Sequence, residues 1–251
     1  VSRSAETLVG FTAVVMWGFL ALLSALAIGI PPFQLAAMSF LIGGAMGALT
    51  WPFRPLVFSS LWQQDRRMWV LGIASLFGYH FIYFTAIKNA PPVEVSLIAY
   101  LWPLFLVVFS AFLPGEKRKF FHFIGVVLGL AGAALVITKG QGLGLSQGLM
   151  TGHLLAVPCA VIWSGYSILA RRFGGVPTDV VSGFCLAAAV LSLASHLLFE
   201  QTVWPQNMTE WMAVAGLGLL PLGAAFYTWD YGLKHGDIMV LGAAVAWLGR
   251  A

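Results

Sequence analysis

The sequence has few charged residues. Only 22 of its 251 residues are Lys, Arg, Asp or Glu, whereas 60% are apolar and the mean hydropathy is +0.90. An average soluble domain carries about 25% charged residues, and a chain of this length needs a polar surface to stay in water. The composition therefore excludes a soluble enzyme, a disordered chain and a secreted disulfide scaffold. It predicts an all-α polytopic membrane protein.

Motifs for metal, cofactor or catalytic chemistry are also missing. Cys159 and Cys185 lie inside apolar runs, and there is no CxxC pair or His-rich metal spacing. The sequence has no HExxH, no GxSxG and no glycine-rich phosphate loop. We therefore expect no metal, no cofactor and no enzymatic activity. The pI near 9.3 does not predict a nucleic-acid partner, because the basic residues occur in short clusters between apolar runs.

Apolar runs of about 20 residues, the length that crosses a membrane as a helix, occur nine times. We predict spans at residues 8–30, 33–51, 68–88, 93–113, 120–138, 149–171, 179–200, 210–233 and 238–251. Proline and glycine mark the breaks between them. The first run exceeds the apolar core of a signal peptide, which has about 7–15 residues, so we expect it to remain as the first span.

The distribution of Lys and Arg predicts the orientation. With the N-terminus in the cytoplasm, ten of the thirteen basic residues lie on the cytoplasmic side, and only Lys88, Lys139 and Arg250 lie outside. Cytoplasmic loops are enriched in positive charge. We therefore predict a cytoplasmic N-terminus and a multi-pass protein of a bacterial inner membrane. The same rule places the basic cluster at 117–119, with His122 beside it, on the cytoplasmic side.

Two weak internal matches occur at nearly the same offset. Residues 13–18 are similar to 160–165, and residues 83–90 align with 229–236. A first unit of five spans forces its copy to enter the membrane upside down, as in many secondary transporters. We predict inverted repeats at 1–140 and 148–251, with the second incomplete at its C-terminal end, and ten helices in the complete protein.

Three segments carry a family resemblance: the Met16-Trp17-Gly18 helix, the run AIKNAPPVEVSLIAYLWP at 86–103 and the run FIGVVLGLAGAALVI at 123–137. They resemble the drug/metabolite transporter superfamily, in its ten-helix branch built from two EamA-type repeats. Within that branch the density of aromatic residues is similar to the YddG-type aromatic amino-acid exporters. The resemblance implies two five-helix repeats and the export of a small molecule.

Polar side chains deep in a span are costly in lipid, which makes them candidates for substrate binding. His80 lies about 18 Å along the third predicted span, near the middle of the membrane. Tyr79 and Tyr83 share a helix face at i,i+4, and Tyr83 follows His80 at i,i+3. The three form a predicted polar–aromatic stripe. The alternative is a histidine that hydrogen-bonds to a neighbouring helix.

The middle of the fourth predicted span holds Tyr100, Trp102 and Pro103. A proline there leaves the carbonyl of residue 99 without its helical donor. Inside a membrane that carbonyl must find a partner or line a cavity, where it can bind an ammonium or a hydroxyl group. A kink that serves only packing is the alternative.

Trp17 and Trp163 occupy near-equivalent positions in the first helix of each predicted repeat. Tryptophan usually lies at the membrane interface, so two deep tryptophans favour an aromatic lining that stacks on a flat substrate or holds its cation. Core packing is the alternative. Tyr166 and Ser167 follow Trp163 on the same helix and can add hydroxyl groups. Trp229, aligned with Tyr83, is a weaker candidate.

The remaining ionisable residues have simpler interpretations. Asp230 and Lys234, at i,i+4 near the cytoplasmic end, are either a snorkelling salt pair or a proton-coupling site. Glu94 lies in the first turn of a helix, where the helix dipole favours an acid. We interpret His153 and His196 as packing or interfacial residues.

Two GxxxG pairs, Gly43/Gly47 and Gly125/Gly129, allow helices to approach closely. They fit packing within one chain or between two copies, so the sequence leaves a monomer and a homodimer open.

We expect export of aromatic amino acids by alternating access around a central aromatic-lined cavity between the repeats. Other cargoes, namely purine, sugar-like or cationic compounds, are the alternative. The expected partners are this small-molecule substrate and membrane lipid. A channel would need a continuous polar lining, which the sequence lacks. Because no pair of deep carboxylates is apparent, we expect facilitated rather than proton-coupled movement.

Overall fold

A computed structural model describes residues 3–110 and 147–237 of the chain, together with the isolated helical positions 128, 131, 132, 135, 240 and 241. Most residues of the fifth and ninth predicted spans lie outside these residues. So do the basic cluster at 117–119 and His122, Lys139, Arg250, Gly125 and Gly129. Within the described residues all regular structure is helical, which confirms the predicted fold class.

The helices are numbered here in chain order. They are α1 (Arg3–Gly18), α2 (Leu20–Leu26), α3 (Pro32–Ala48), α4 (Pro55–Leu61), α5 (Arg66–Ile87), α6 (Pro92–Ala99), α7 (Trp102–Ser110), α8 (Gln147–Arg172), α9 (Val180–Phe199), α10 (Met208–Leu219) and α11 (Ala225–His235). A short 3₁₀ turn (Trp51–Phe53) follows α3, and a π-helical turn (Leu220–Ala224) joins α10 to α11.

Six helical segments are long and apolar enough to cross a membrane, and each matches a predicted span. They are Ser4–Leu26, Pro32–Phe53, Arg66–Ile87, Met150–Arg172, Val180–Phe199 and Met208–His235. Such segments need about 20 residues to cross the hydrocarbon core. The chain is therefore a multi-pass integral membrane protein.

The fourth predicted span is interrupted, which corrects the expectation of one continuous helix. Helix α6 ends at Ala99, and α7 begins at Trp102. Pro103 has no N–H to donate to the carbonyl of Ala99, four residues earlier, and its ring crowds that carbonyl. The amide of Leu101 instead donates to Ile98 in a tight turn, with N and O 3.0 Å apart.

The described chain forms two compact units. Unit 1 consists of Val1–Phe77 and Ala170–Ile238, and unit 2 of Gly78–Leu169 and Met239–Ala251. Each unit draws on both halves of the sequence, so the units do not coincide with the predicted repeats. The repeat boundaries at 1–140 and 148–251 stay a prediction.

In unit 1, Gly43 and Gly47 allow α3 to pack closely on other parts of the same chain. A Cβ atom on Gly43 would lie 2.5 Å from the carbonyl oxygen of Leu222, and one on Gly47 would meet Ser182. The hydroxyl of Tyr227 donates to the carbonyl of Gly43 at 2.9 Å. This glycine pair therefore serves packing within the chain.

Glu200, just after α9, binds the N-terminus of α3. Its carboxylate accepts from the backbone amides of Phe33 and Gln34 at 3.1–3.2 Å, where a helix leaves donors unpaired. His196 holds that carboxylate through Nδ1 at 3.0 Å, and its Nε2 lies 2.9 Å from the hydroxyl of Thr202. His196 therefore has a structural role with both ring nitrogens paired.

Unit 2 contains the end of α5 from Gly78, helices α6 and α7, and α8 as far as Leu169. Its buried apolar cluster consists of Ala86, Ala90, Val95, Ile98 and Ala156. A Cβ atom on Gly152 would lie 2.7 Å from the amide nitrogen of Ala90, so α8 approaches the end of α5 closely.

Candidate functional site

The stripe predicted on α5 lies in unit 2. Tyr79 and Tyr83 stack with ring centroids 5.9 Å apart and planes at 9°. The ring of His80 meets the edge of Tyr79 at 5.2 Å. All three side chains are half-buried. The spacing of one helical turn thus brings the two phenol rings together, as the sequence predicts.

Helix α8 places two further rings beside this stripe. Trp163 stacks on Tyr166 with centroids 5.3 Å apart, and Tyr79 meets Trp163 edge-on at 6.2 Å. Trp102, at the start of α7, contacts Trp163 at 6.4 Å with the planes at 88°. These contacts join α5, α7 and α8. Tyr79, Tyr83, Trp102, Trp163 and Tyr166 are called the aromatic cluster below.

Hydroxyl groups lie within the cluster and beside it. The Tyr83 hydroxyl is 2.7 Å from that of Ser96, which also donates to the carbonyl of Pro92. The hydroxyl of Ser167 donates to the carbonyl of Trp163 at 2.9 Å, so this predicted site residue bonds within its own helix. The cluster therefore combines apolar ring faces with hydrogen-bonding edges.

Tyr100 and Pro103 lie at the interruption between α6 and α7. Tyr100 follows the last residue of α6 as its C-cap, and 47% of its surface is exposed, whereas Pro103 is buried. The break places the carbonyl of Ala99 beside a proline that cannot donate to it. The break therefore interrupts the helical hydrogen bonding directly before Trp102.

Trp17 lies in unit 1 and has its own aromatic neighbours. Its indole N–H donates to the carbonyl of Pro221 at 3.1 Å. Its ring lies 5.2 Å from that of Trp229 and 6.2 Å from that of Phe226. Trp229 is completely buried. Trp17 and Trp163 thus belong to different units, and their shared lining stays a prediction.

Asp230 and Lys234 form a fully buried pair in unit 1. Nζ lies 2.6 Å from Oδ2, and both side chains have no exposed surface. Thr178 donates to the same carboxylate at 2.9 Å, and Lys234 donates to the carbonyl of Val176 at 3.1 Å. The predicted contact between Asp230 and Lys234 is present. Its burial does not fit snorkelling, because a snorkelling lysine keeps its ammonium group in water.

The sequence interpretation missed a second buried pair, in unit 2. His153 Nε2 lies 2.7 Å from Glu94 Oε2, and the two side chains are only 8% and 10% exposed. The helix dipole alone therefore does not account for Glu94, and His153 is more than a packing residue. The sequence did contain a signal for this pair, because Glu94 and His153 are ionisable residues that each lie in an apolar run. Their pairing across 59 positions is a tertiary contact.

Apolar membrane-crossing helices that carry an aromatic cluster and buried pairs of ionisable residues define a polytopic membrane protein with polar sites inside its helical segments. The family model described as the EamA-like transporter family matches residues 5–138. The chain belongs to this family, which confirms the resemblance and places the protein among the inner-membrane transporters.

Two named relatives and one solved structure are similar over most of the chain. The aromatic amino acid exporter YddG of Ancylobacter novellus is 51% identical over 242 residues, which cover 96% of this chain and 84% of the relative. The aromatic amino acid exporter YddG of Salmonella typhimurium is 25% identical, with coverage of 94% and 82%. One crystal structure, 51% identical in sequence, has a TM-score of 0.85. The matched region covers 98% of this chain and 85% of the chain in that structure.

Proposed function

We propose that this protein exports aromatic amino acids and binds them at the aromatic cluster of unit 2. The ring contacts that join Tyr79, Trp102 and Trp163 are the observation that carries the proposal. Its cargo also agrees with the name of the relative that is 51% identical.

The chemistry of the cluster suits an aromatic amino acid. Indole and phenol rings offer stacking and edge-to-face contacts to a flat side chain. Their faces attract an ammonium group, and the carbonyl of Ala99 is a further acceptor. Donors for the carboxylate come from the hydroxyl of Tyr79 and the imidazole of His80. One substrate is thus held at its ring and at both charged groups.

Transport then requires a cavity that opens to each side in turn. We propose that the two predicted inverted repeats alternate in this way. The interruption at Tyr100 and Leu101 and the π-helical turn at Leu220–Ala224 are two places in the described residues where helical hydrogen bonding is irregular. Such positions absorb changes in backbone angle more easily than a regular helix.

Other cargoes are the second candidate. A cationic drug favours a buried carboxylate for its charge, but Asp230 is engaged by Lys234 and Glu94 by His153. A purine or sugar would use amide and hydroxyl donors more than ring faces. The rings of the cluster therefore favour an aromatic amino acid. An enzymatic role has no support from the relatives, which are named exporters.

Binding of radiolabelled phenylalanine to the purified protein tests the cargo. We expect unlabelled tryptophan and phenylalanine to displace the label, and a lipophilic cation, adenine or glucose to leave it bound. Displacement by the cation alone would favour the second candidate. Trp163→Ala should abolish binding, whereas Trp163→Phe should retain part of it because a ring face remains. Trp211→Ala, at an exposed position, is the matched control.

A further inference from the structure

Two imidazole–carboxylate pairs occur among the described residues. They differ in whether the second ring nitrogen of the histidine has a hydrogen-bond partner. In the pair of His196 and Glu200 both ring nitrogens have partners, namely Glu200 and Thr202. In the pair of His153 and Glu94, Nε2 bonds to the carboxylate. The buried Nδ1 of His153 has no hydrogen-bond partner within the described part of the chain.

A buried polar nitrogen without a partner is unusual, since most such atoms are paired. His153 is more than nine-tenths buried, so bulk water does not account for the missing partner. A ring nitrogen that carries a lone pair can bind a proton. The first pair is thus complete as a structural contact, and the second has one position left for a ligand.

The residues that flank the pair in sequence pack in an apolar part of unit 2. Val95, which follows Glu94, belongs to the buried cluster of unit 2, and Gly152, which precedes His153, packs on Ala90. The other titratable side chains on the unit 2 parts of α5, α6 and α8, or at the ends of these helices, are Tyr79, His80, Tyr83, Lys88, Tyr100, Cys159 and Tyr166. Lys88 is exposed, and the Tyr83 hydroxyl is bonded to Ser96. A net charge on the pair is therefore costly in this environment.

We propose that Glu94 and His153 are the proton-binding site of the transporter and couple one inward proton to each exported molecule. With Glu94 ionised, His153 donates Nε2–H to the carboxylate, and the pair carries one net negative charge. A proton from the outer solution binds Nδ1 and gives an imidazolium that faces a carboxylate, so the pair becomes neutral. Nδ1 returns the same proton to the cytoplasm, and no bond between heavier atoms changes.

The position of the pair links the proton to the cargo. Helix α8 carries His153 and, ten residues later, Trp163, about 15 Å away along the helix. Glu94 lies in the first turn of α6, the short helix that ends at the interruption before Trp102. Protonation changes the attraction between α6 and α8. Helix α8 carries Trp163 and Tyr166 of the aromatic cluster, and α6 leads through the interruption to Trp102. This coupling rests on the proposed function, and it replaces the facilitated movement expected from the sequence.

Proteoliposomes test the coupling directly. Labelled phenylalanine is first equilibrated across the membrane, and a pH gradient is then imposed with the membrane potential held at zero by potassium and valinomycin. We expect the label to move toward the acidic compartment, by up to about tenfold for one pH unit and one proton per molecule. Glu94→Gln and His153→Gln should abolish this movement and retain exchange of labelled for unlabelled phenylalanine. Asp65→Asn, which removes the charge of an exposed acid, should behave like the parent protein.

The outcomes separate this inference from the proposed function. If the parent protein exchanges phenylalanine but ignores the pH gradient, the proton site is rejected and the exporter stands. If both variants fold and still respond to the gradient, the site is also rejected. If the parent protein exchanges no aromatic amino acid, the proposed function fails.

A transport-independent measurement then decides the proton site. In ¹⁵N-histidine NMR of the protein in detergent, the His153 signal is identified by its loss in His153→Gln. We expect this signal to differ between an acidic and an alkaline sample of the parent protein, and Glu94→Gln to alter that difference. A His153 signal that is the same in both samples would overturn the proposal.

Discussion

Trp17 donates its indole N–H to the carbonyl of Pro221, 3.1 Å away, inside the π-helical turn at Leu220–Ala224. Pro221 itself cannot donate to the helical ladder, and the widened turn leaves carbonyl groups in need of other donors. A long-range side chain thus stabilises the irregular part of unit 1.

We predict that Trp17→Phe destabilises the protein although it keeps a ring. The carbonyl of Pro221 loses its donor, and leaving a buried acceptor unpaired costs about 1–3 kcal/mol. Thermal unfolding in detergent, followed by fluorescence, should show a lower midpoint for this variant. Trp211→Phe, at an exposed position, should leave the midpoint unchanged. Equal midpoints for both variants would show that the hydrogen bond does not stabilise the turn.

The buried pair of Asp230 and Lys234 gives a second prediction. Asp230→Asn or Lys234→Met alone should destabilise the protein by about 3–5 kcal/mol, because each leaves one charge buried without its partner. The double variant should lose much less than the sum of the two single losses. A double-mutant cycle on the free energy of unfolding measures this difference. Additive losses would mean that the two charges stabilise the fold independently.

Glycine packing gives a third prediction with an internal control. Gly43→Ala places a methyl group 2.5 Å from the backbone oxygen of Leu222, which cannot move without shifting the π-helical turn. We expect a loss of about 1–3 kcal/mol and a lower folded yield. Gly165→Ala has no atom within 4 Å of its new carbon. It should be neutral or stabilise the helix by about 0.5–1 kcal/mol. Equal yields and melting temperatures would contradict this account of α3.

Features that depend on local spacing could be predicted from the sequence. The length of each apolar run is enough to place the six described membrane-crossing helices. The stacking of Tyr79 and Tyr83 follows from helical periodicity, because residues four apart share a face. The irregularity near Pro103 follows from its missing N–H group, although the length of the interruption also depends on tertiary packing.

Features that depend on contacts between distant segments could not be predicted in this way. The sequence shows Glu94 and His153 as two isolated ionisable residues, and only folding brings them 2.7 Å apart. The i,i+4 spacing of Asp230 and Lys234 predicts their contact but not the burial, which depends on the segment around Thr178. Hydropathy alone does not indicate the π-helical turn or its bond from Trp17.

Efflux from proteoliposomes loaded with labelled phenylalanine tests most directly whether the aromatic cluster carries the export. The account predicts rapid efflux for the parent protein and for Trp211→Ala. Trp163→Ala and Tyr79→Ala should reduce efflux at least about tenfold, corresponding to a loss of 1.4 kcal/mol or more in transition-state stabilisation, at equal amounts of folded protein. Undiminished efflux from both cluster variants would contradict the account.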